Sequence, residues 1–372
     1  MPKIVFFIAE DWYFLSHRRP LAEACRDAGW EVVLIANVTT HAETIRAAGF
    51  GLEPLPIERG GKNPLRELKT LLRLVRILRR QRPDVLHLVG IKPVLYGNMA
   101  ARLAGIGRTV SALAGLGWLF TSAPLPLRRL ATTILRWLVA RRGSSLIVQN
   151  QDDRALMLRS GIASAEQIVL IRGSGVDLAA LPALPPPSSD GPVVFALVAR
   201  MLADKGIREA VEASRELRRR GVAAELWLVG GTDVQNPSCL TEAELNAWTA
   251  EGCARWLGRR DDILGIWRQA HVAVLPSYRE GMPKALLEAE ACARPVITTD
   301  VEGCREAIDD GVEGLLVPVR QSLPLADAMQ RLAEDEPLRL RMGAAARRRA
   351  ELLFDQAIVV KAHLDLYRRL IG

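Results

Sequence analysis

The 372-residue chain has few cysteines, few histidines and no long apolar run. Its five cysteines are Cys25, Cys239, Cys253, Cys292 and Cys304, an odd number with no CxxC pair. That argues against a disulfide framework and a zinc site, and it fits a reducing cytoplasm. The five histidines form no HExxH-type group, so no metal site is expected. No stretch of ~18 uncharged apolar residues occurs, so no membrane-crossing helix is expected. The opening MPKIVFFIAEDWYF is apolar but lacks a small-residue cleavage site, and acidic and aromatic residues follow at once. A buried first strand explains it better than a signal peptide. The GxGxxG turn is also missing, so dinucleotide binding is not suggested.

What is present is ordinary in bulk and uneven in charge. Apolar residues make up 49% and charged residues 25%, as in a soluble globular protein. At ~150 residues per domain, the length suggests two domains. Residues 1–180 carry 25 Lys and Arg against 14 Asp and Glu, and the remainder carries 25 against 28. The basic first half points to an anionic partner, whether nucleic acid, a phosphorylated ligand or an acidic membrane surface.

Short β-branched runs alternate with amphipathic stretches. Strands are expected at 4–9, 31–36, 84–89, 108–113, 145–149 and 167–171 in the first half. In the second half they are expected at 193–199, 224–229, 254–257, 271–275, 295–299 and 314–317. Continuous rather than alternating apolar runs mark strands buried on both faces, hence a doubly wound parallel sheet in each half. Residues 181–192 hold five prolines in twelve positions and read as an inter-domain linker. The expected division is 1–180, a linker 181–192, 193–355, and a C-terminal helix 356–372 that can cross back to the first domain. Ligands of doubly wound sheets sit at the carboxyl ends of the strands, so two such domains facing a cleft predict a two-substrate reaction.

Two helices of the first half are strongly basic. Residues 64–82 carry seven Lys or Arg against one Glu, with Arg66, Lys69, Arg73, Arg76 and Arg80 in one stripe. Leu68, Leu71, Leu72, Val75 and Leu78 are expected to line its apolar face. Residues 126–142 carry five Arg, no acid, and Trp137. Every helix covering a sheet has an apolar and a charged face. The near-absence of acids on both tips the reading toward an anionic membrane surface. No RNA-binding motif or helix-turn-helix pattern appears, so nucleic acid is not expected.

The most informative segment is 273–290, AVLPSYREGMPKALLEAE. A strand ends at Leu275, a Gly-containing turn follows, and Pro283 suits the first turn of a helix. Glu280 then stands just ahead of a helix N-terminus and Glu288 about 1.5 turns inside it. A helix N-terminus favours diphosphate oxygens, and a carboxylate accepts two hydrogen bonds from vicinal hydroxyls. Alone, the two glutamates could equally be a helix cap and a surface residue. Upstream, however, Arg200 and Lys205 follow the first strand of the second half, where a diphosphate would need cations. Gly230 and Gly231, and the turn carrying Arg260, follow the next two strands at the same sheet edge.

In order and spacing, VARMLADKG, LVGG, WLGRRDD, LPSYREGMPKALLEAEACARPVITTDVEGCREAI and DGVEGLLVP resemble the retaining GT-B glycosyltransferases of family 4. The closer likeness is to bacterial transferases that build lipid-linked glycans, with the segments 236–239 and 114–117 as further matches. The resemblance implies two Rossmann-like domains and transfer of a sugar, first of all an N-acetylhexosamine, from a UDP-sugar with retention of configuration. The acceptor would be a polyprenyl diphosphate-linked saccharide, and the enzyme would work without metal or other cofactor, peripherally on the inner face of a bacterial plasma membrane. By the same resemblance Glu288 would hold the ribose, Arg200 and Lys205 the diphosphate, and Glu280 the donor sugar. The backbone of Gly281, Met282 and Pro283 would meet the phosphates, and Arg260 would frame the uracil. Ala293 replaces the family's usual Gly, a departure expected to be mild. The alternatives are a GT-B UDP-sugar epimerase, whose acid/base motifs are absent, and a non-catalytic partner protein, which would be expected to have lost one of these residues.

The first half matches less tightly. His17 follows the first strand and is equally readable as a ligand-facing or a helix-start residue. Lys92 follows the third expected strand, where a lipid diphosphate would need a cation; a plain surface lysine is the alternative. Gly115 and Gly117 would let the backbone approach an acceptor closely.

Overall fold

The computed structural model describes residues 1–57, 63–113, 125–188, 190–234 and 236–372. The chain forms two compact units, one of residues 1–174 with 357–372, the other of residues 175–356. In the first unit the strands are β1 (Lys3–Glu10), β2 (Glu31–Asn37), β3 (Gly51–Pro54), β4 (Val85–Val89), β5 (Thr109–Ala112), β6 (Ser144–Val148) and β7 (Ile168–Leu170). They make one parallel sheet in the order β3-β2-β1-β4-β5-β6-β7. In the second unit β8 (Val193–Val198), β9 (Ala224–Val229), β10 (Arg255–Gly258), β11 (Val272–Leu275), β12 (Val296–Thr299) and β13 (Gly314–Val317) make a parallel sheet ordered β10-β9-β8-β11-β12-β13.

The uniform apolar runs follow from this burial. Along β1, Ile4, Phe6 and Ile8 enter one layer of the core while Val5 and Phe7 enter the layer on the other face. A strand covered on both sides has no polar face to alternate with. β3 is not expected from the sequence. Its four residues, Gly-Leu-Glu-Pro, lie at the sheet edge half-exposed and carry one apolar side chain to signal them.

The proline-rich stretch lies against the second unit. Arg294 is buried and donates to the carbonyls of Leu184 and Pro185, and His271 Nε2 is 3.2 Å from the Ser188 carbonyl. The units divide between Ser174 and Gly175, before that stretch. At the second passage, Val176 pairs with Asp355, and its N–H donates to the Phe354 carbonyl.

Two expectations need correction. On the helix Pro64–Gln81 the buried residues are Leu71, Leu74, Val75 and Leu78. Leu68 and Leu72, assigned to the core-facing side, are 52% and 45% exposed. The leucines run almost all round this helix, so periodicity alone does not fix which stripe packs. Ala293 stands at φ 58°, the left-handed region, where a Cβ costs roughly 1–2 kcal/mol. Its substitution for Gly is therefore a standing strain at the turn into β12.

The helix Gln356–Ile371 closes one face of the first sheet through Val359, Leu366 and Tyr367. Beneath it sits a buried polar cluster. His87 on β4 contacts the Tyr367 hydroxyl through Nδ1, stacks on Phe6, and lies 5.7 Å ring to ring from His363. His363 Nδ1 donates to the Val359 carbonyl at 2.8 Å. Arg18 is equally buried, with Cys25 in the same layer. Burial, reinforced by the Arg18 charge, holds the His363 imidazole down to about 3 and keeps His87 well below its usual range, its neighbour His363 adding to the effect.

Both imidazoles are thus neutral in the folded chain and would charge in the unfolded one below about pH 6.5. Their depressed values make stability present above that pH and progressively lost as pH falls below it. Thermal melts are expected to show a falling Tm from pH 7 to pH 5. His363→Leu should reduce the stability lost between pH 7 and pH 5 by ~1 kcal/mol or more, and an unchanged slope would refute the assignment.

Candidate functional site

All strands of the second sheet are parallel, so the loops after β8, β9, β10 and β11 emerge at one edge. The expected residues of this half are distributed over those loops. Arg200 and Lys205 follow β8, Gly230 and Gly231 follow β9, Arg260 follows β10, and Glu280 to Pro283 follow β11.

The loops are stitched to one another. The Met201 N–H donates to the Gly231 carbonyl at 3.0 Å, and the Gly230 N–H donates to the Gly258 carbonyl at 2.9 Å. Trp256 Nε1 donates to the Gly230 carbonyl at 2.9 Å. The Tyr278 N–H donates to the Asp204 carbonyl at 2.9 Å, and Ser277 Oγ donates to the same oxygen at 3.1 Å. Gly230 has φ 154°, and a Cβ there would fall 1.7 Å from the Ala199 carbonyl oxygen, so the β8 and β9 loops can lie this close only with glycine.

The charged groups meet in pairs. Lys205 Nζ is ion-paired and hydrogen-bonded to Glu280 Oε1, with side chains 19% and 12% exposed. Arg200 Nη1 donates to Asp233 Oδ2 at 2.5 Å, on a more open surface. Lys284 Nζ lies 3.4 Å from Glu288 Oε1 on the helix Lys284–Ala291. Burial pushes the Glu288 carboxyl up, and Lys284 pulls it part of the way back. Pro283 is the extended residue that caps this helix, and Met282 packs against the core of the unit. Arg260 is exposed in its turn.

The sequence marks Asp233 only as part of a turn and does not single out Lys284, Ser277 or Gly303. Asp233 has a signal, an acid two residues after a Gly-Gly pair at the sheet edge. Gly303 has none. A Cβ there would come 2.4 Å from the Gly281 carbonyl oxygen and 2.6 Å from that of Glu280, so the helix Glu302–Ala307 backs directly onto the Glu280 turn.

In the first unit, His17 ends the helix Asp11–His17 that follows β1. Its ring stacks on Tyr13 at 4.3 Å, and Nδ1 is 2.6 Å from Ser16 Oγ. Lys92, in the first turn of the helix Ile91–Ala104 after β4, is ion-paired to Glu67 at 2.8 Å. Burial opposes ionisation of Glu67, but Lys92 and the Tyr96 hydroxyl more than offset it. Asp11, unmarked in the sequence, is buried and accepts from the backbone N–H groups of Trp12, Thr39 and His41 and from the Thr39 hydroxyl. Burial works against its charge, yet these bonds hold its carboxyl below the usual range. Gly115 and Gly117 lie outside the described residues.

Comparison with known proteins places the chain among glycosyltransferase-like sequences and folds. The family described as "Glycosyl transferases group 1" matches residues 192–335, and "Glycosyl transferase 4-like" matches residues 3–151. The chain is 29% identical to N,N'-diacetylbacillosaminyl-diphospho-undecaprenol alpha-1,3-N-acetylgalactosaminyltransferase of Campylobacter jejuni, over 96% of this chain and 98% of that protein. It is 25% identical to an Escherichia coli UDP-Gal:alpha-D-GlcNAc-diphosphoundecaprenol alpha-1,3-galactosyltransferase, over 74% of this chain and 73% of that protein. Its fold matches the Anabaena protein HepE, solved with UDP and glucose, at TM-score 0.80 and 18% identity, over 99% of this chain and all of the other.

The close approach at Gly303 makes a specific demand. Gly303→Ala must push the Glu280–Gly281 backbone away. It is expected to weaken inorganic pyrophosphate binding severalfold and to cost ~1–3 kcal/mol of stability. Titration calorimetry and thermal melts would check this, and unchanged pyrophosphate binding would sink it.

Proposed function

Because the chain belongs to the group 1, family 4-like glycosyltransferases of GT-B fold, we propose that it moves an N-acetylhexosamine from a UDP-sugar to a polyprenyl diphosphate-linked saccharide, with retention of configuration. The observation that carries this reading is the gathering of Arg200, Lys205, Glu280 and Glu288 by the loops and helix at the carboxyl edge of one parallel sheet. Doubly wound sheets hold ligands at that edge. The C. jejuni and E. coli relatives, named for diphospho-undecaprenol-linked substrates, support the acceptor class.

In this reading Arg200 and Lys205 take the donor diphosphate. As the bond from the anomeric carbon to the diphosphate breaks, a new bond forms to the acceptor hydroxyl, whose proton passes to the departing diphosphate. The two cations neutralise the charge that develops there, so the step needs no metal. Glu288, largely buried on its helix, accepts from the ribose hydroxyls. Glu280 accepts from hydroxyls of the sugar, Arg260 frames the base, and the backbone of Gly230, Gly231, Gly281, Met282 and Pro283 completes the wall. In the first unit, His17 and Lys92 are assigned to the acceptor. Lys92 would exchange Glu67 for the lipid diphosphate.

Among the described residues no helix is long and apolar enough to cross a membrane. Surface chemistry supports peripheral attachment to the inner face of the plasma membrane. Leu65, Leu68 and Leu72 are 76%, 52% and 45% exposed on the helix that carries the basic stripe. Leu130, Ile134 and Trp137 are 58%, 41% and 60% exposed on the helix Leu125–Val139. Exposed apolar side chains among arginines suit the headgroup region of an anionic bilayer, at ~1 kcal/mol per basic residue.

Lys205→Ala and Glu288→Ala are each expected to lower kcat/KM with the UDP-sugar by about 10²-fold or more; turnover at the wild-type rate would remove the donor assignment. In flotation assays the protein should rise with phosphatidylglycerol vesicles and stay down with phosphatidylcholine ones. Reversing Arg66, Arg73 and Arg76 to Glu should abolish flotation. Equal flotation with both lipids would refute the membrane reading.

A further inference from the structure

Two cations of the donor edge already hold acids in this structure, Lys205 with Glu280 and Arg200 with Asp233. A diphosphate approaching this edge meets no bare positive charge at either residue. It must take Lys205 and Arg200 from carboxylates that already hold them. The two pairs are not equal. Lys205 and Glu280 are mostly shielded from water, whereas Arg200 is 45% exposed and its pair is weakened by solvent.

We propose that Glu280 and Asp233 act as internal competitors of the donor diphosphate, and that re-formation of the Lys205–Glu280 pair drives UDP out once the sugar has left. The proposal rests on the donor-site reading given above. When a diphosphate claims Lys205, the Glu280 carboxylate stays in place, shielded and deprived of its cation. An unpaired, largely buried carboxylate is costly unless new donors reach it. An intact nucleotide sugar brings them, because sugar hydroxyls donate to Glu280 while the diphosphate accepts from Lys205. UDP alone brings the negative charge without the hydroxyls. It leaves Glu280 unsatisfied and facing another anion.

Glu280 therefore gives the site different affinities for substrate and product through one element, the Lys205–Glu280 pair, which each ligand biases differently. Asp233 competes with the diphosphate for Arg200, more weakly and without telling substrate from product. It is a positioning residue that parks the guanidinium between turnovers.

The test is a set of titrations with UDP and UDP-N-acetylglucosamine on wild type, Lys205→Ala, Glu280→Gln and Asp233→Asn. Glu280→Gln keeps a hydrogen-bonding group but removes the competing charge. It is expected to bind UDP about tenfold tighter, to lose its preference for the nucleotide sugar over UDP, and to show stronger product inhibition by UDP. Asp233→Asn should tighten UDP a few-fold, and it serves alone if Glu280→Gln does not fold by circular dichroism. UDP affinity in these variants equal to or weaker than wild type would overturn the proposal. If wild type and Lys205→Ala bind UDP equally well, the donor-site reading itself fails. If Lys205→Ala weakens binding while Glu280→Gln does not tighten it, only the competition fails.

Discussion

Lys205 follows β8 and Glu280 follows β11, and their ion pair spans two loops that leave neighbouring strands of a parallel sheet. Much of the second unit is arranged to make that contact possible. The Tyr278 and Ser277 bonds to the Asp204 carbonyl hold the two turns in register. Gly230 lets the β9 loop lie against the β8 loop, and Gly303 lets a helix support the Glu280 turn from behind. The pair is shielded, with side chains 19% and 12% exposed, yet neither partner is wholly enclosed.

Most strands are legible in the sequence because burial on both faces leaves a continuous apolar run. In β1, Ile4, Val5, Phe6 and Phe7 follow one another, and each enters one core layer or the other. β3 is not legible, since an exposed edge strand of four residues need not be apolar. The helix Pro64–Gln81 is legible as a helix but not in its orientation, because its leucines cover more of its circumference than the sheet can bury. At the site, the residues are legible by their order along the chain, while their pairing is not. Lys205 and Glu280 are 75 positions apart, and only the strand order brings them together.

The first unit shows the same limit from the other side. Lys92 stands out in the sequence as a cation just after a strand, but its partner Glu67 is the one acid on a helix conspicuous for its bases. In the sequence Asp11 looks like an ordinary acid after a strand. Its fixed charge depends on backbone N–H groups from a loop at Thr39 and His41, which no local pattern reveals.

The helix that begins at Gln356 completes the first unit, although the whole of the second unit precedes it in the chain. A ribosome therefore makes the covering for β1 and β4 last. Until then His87 lacks its Tyr367 and His363 neighbours, although Phe14 of the same layer already meets Phe6, while residues 175–356 form one contiguous unit. The unit that is begun first is thus the unit that is completed second, and its core layer stays incomplete while the other unit is being made.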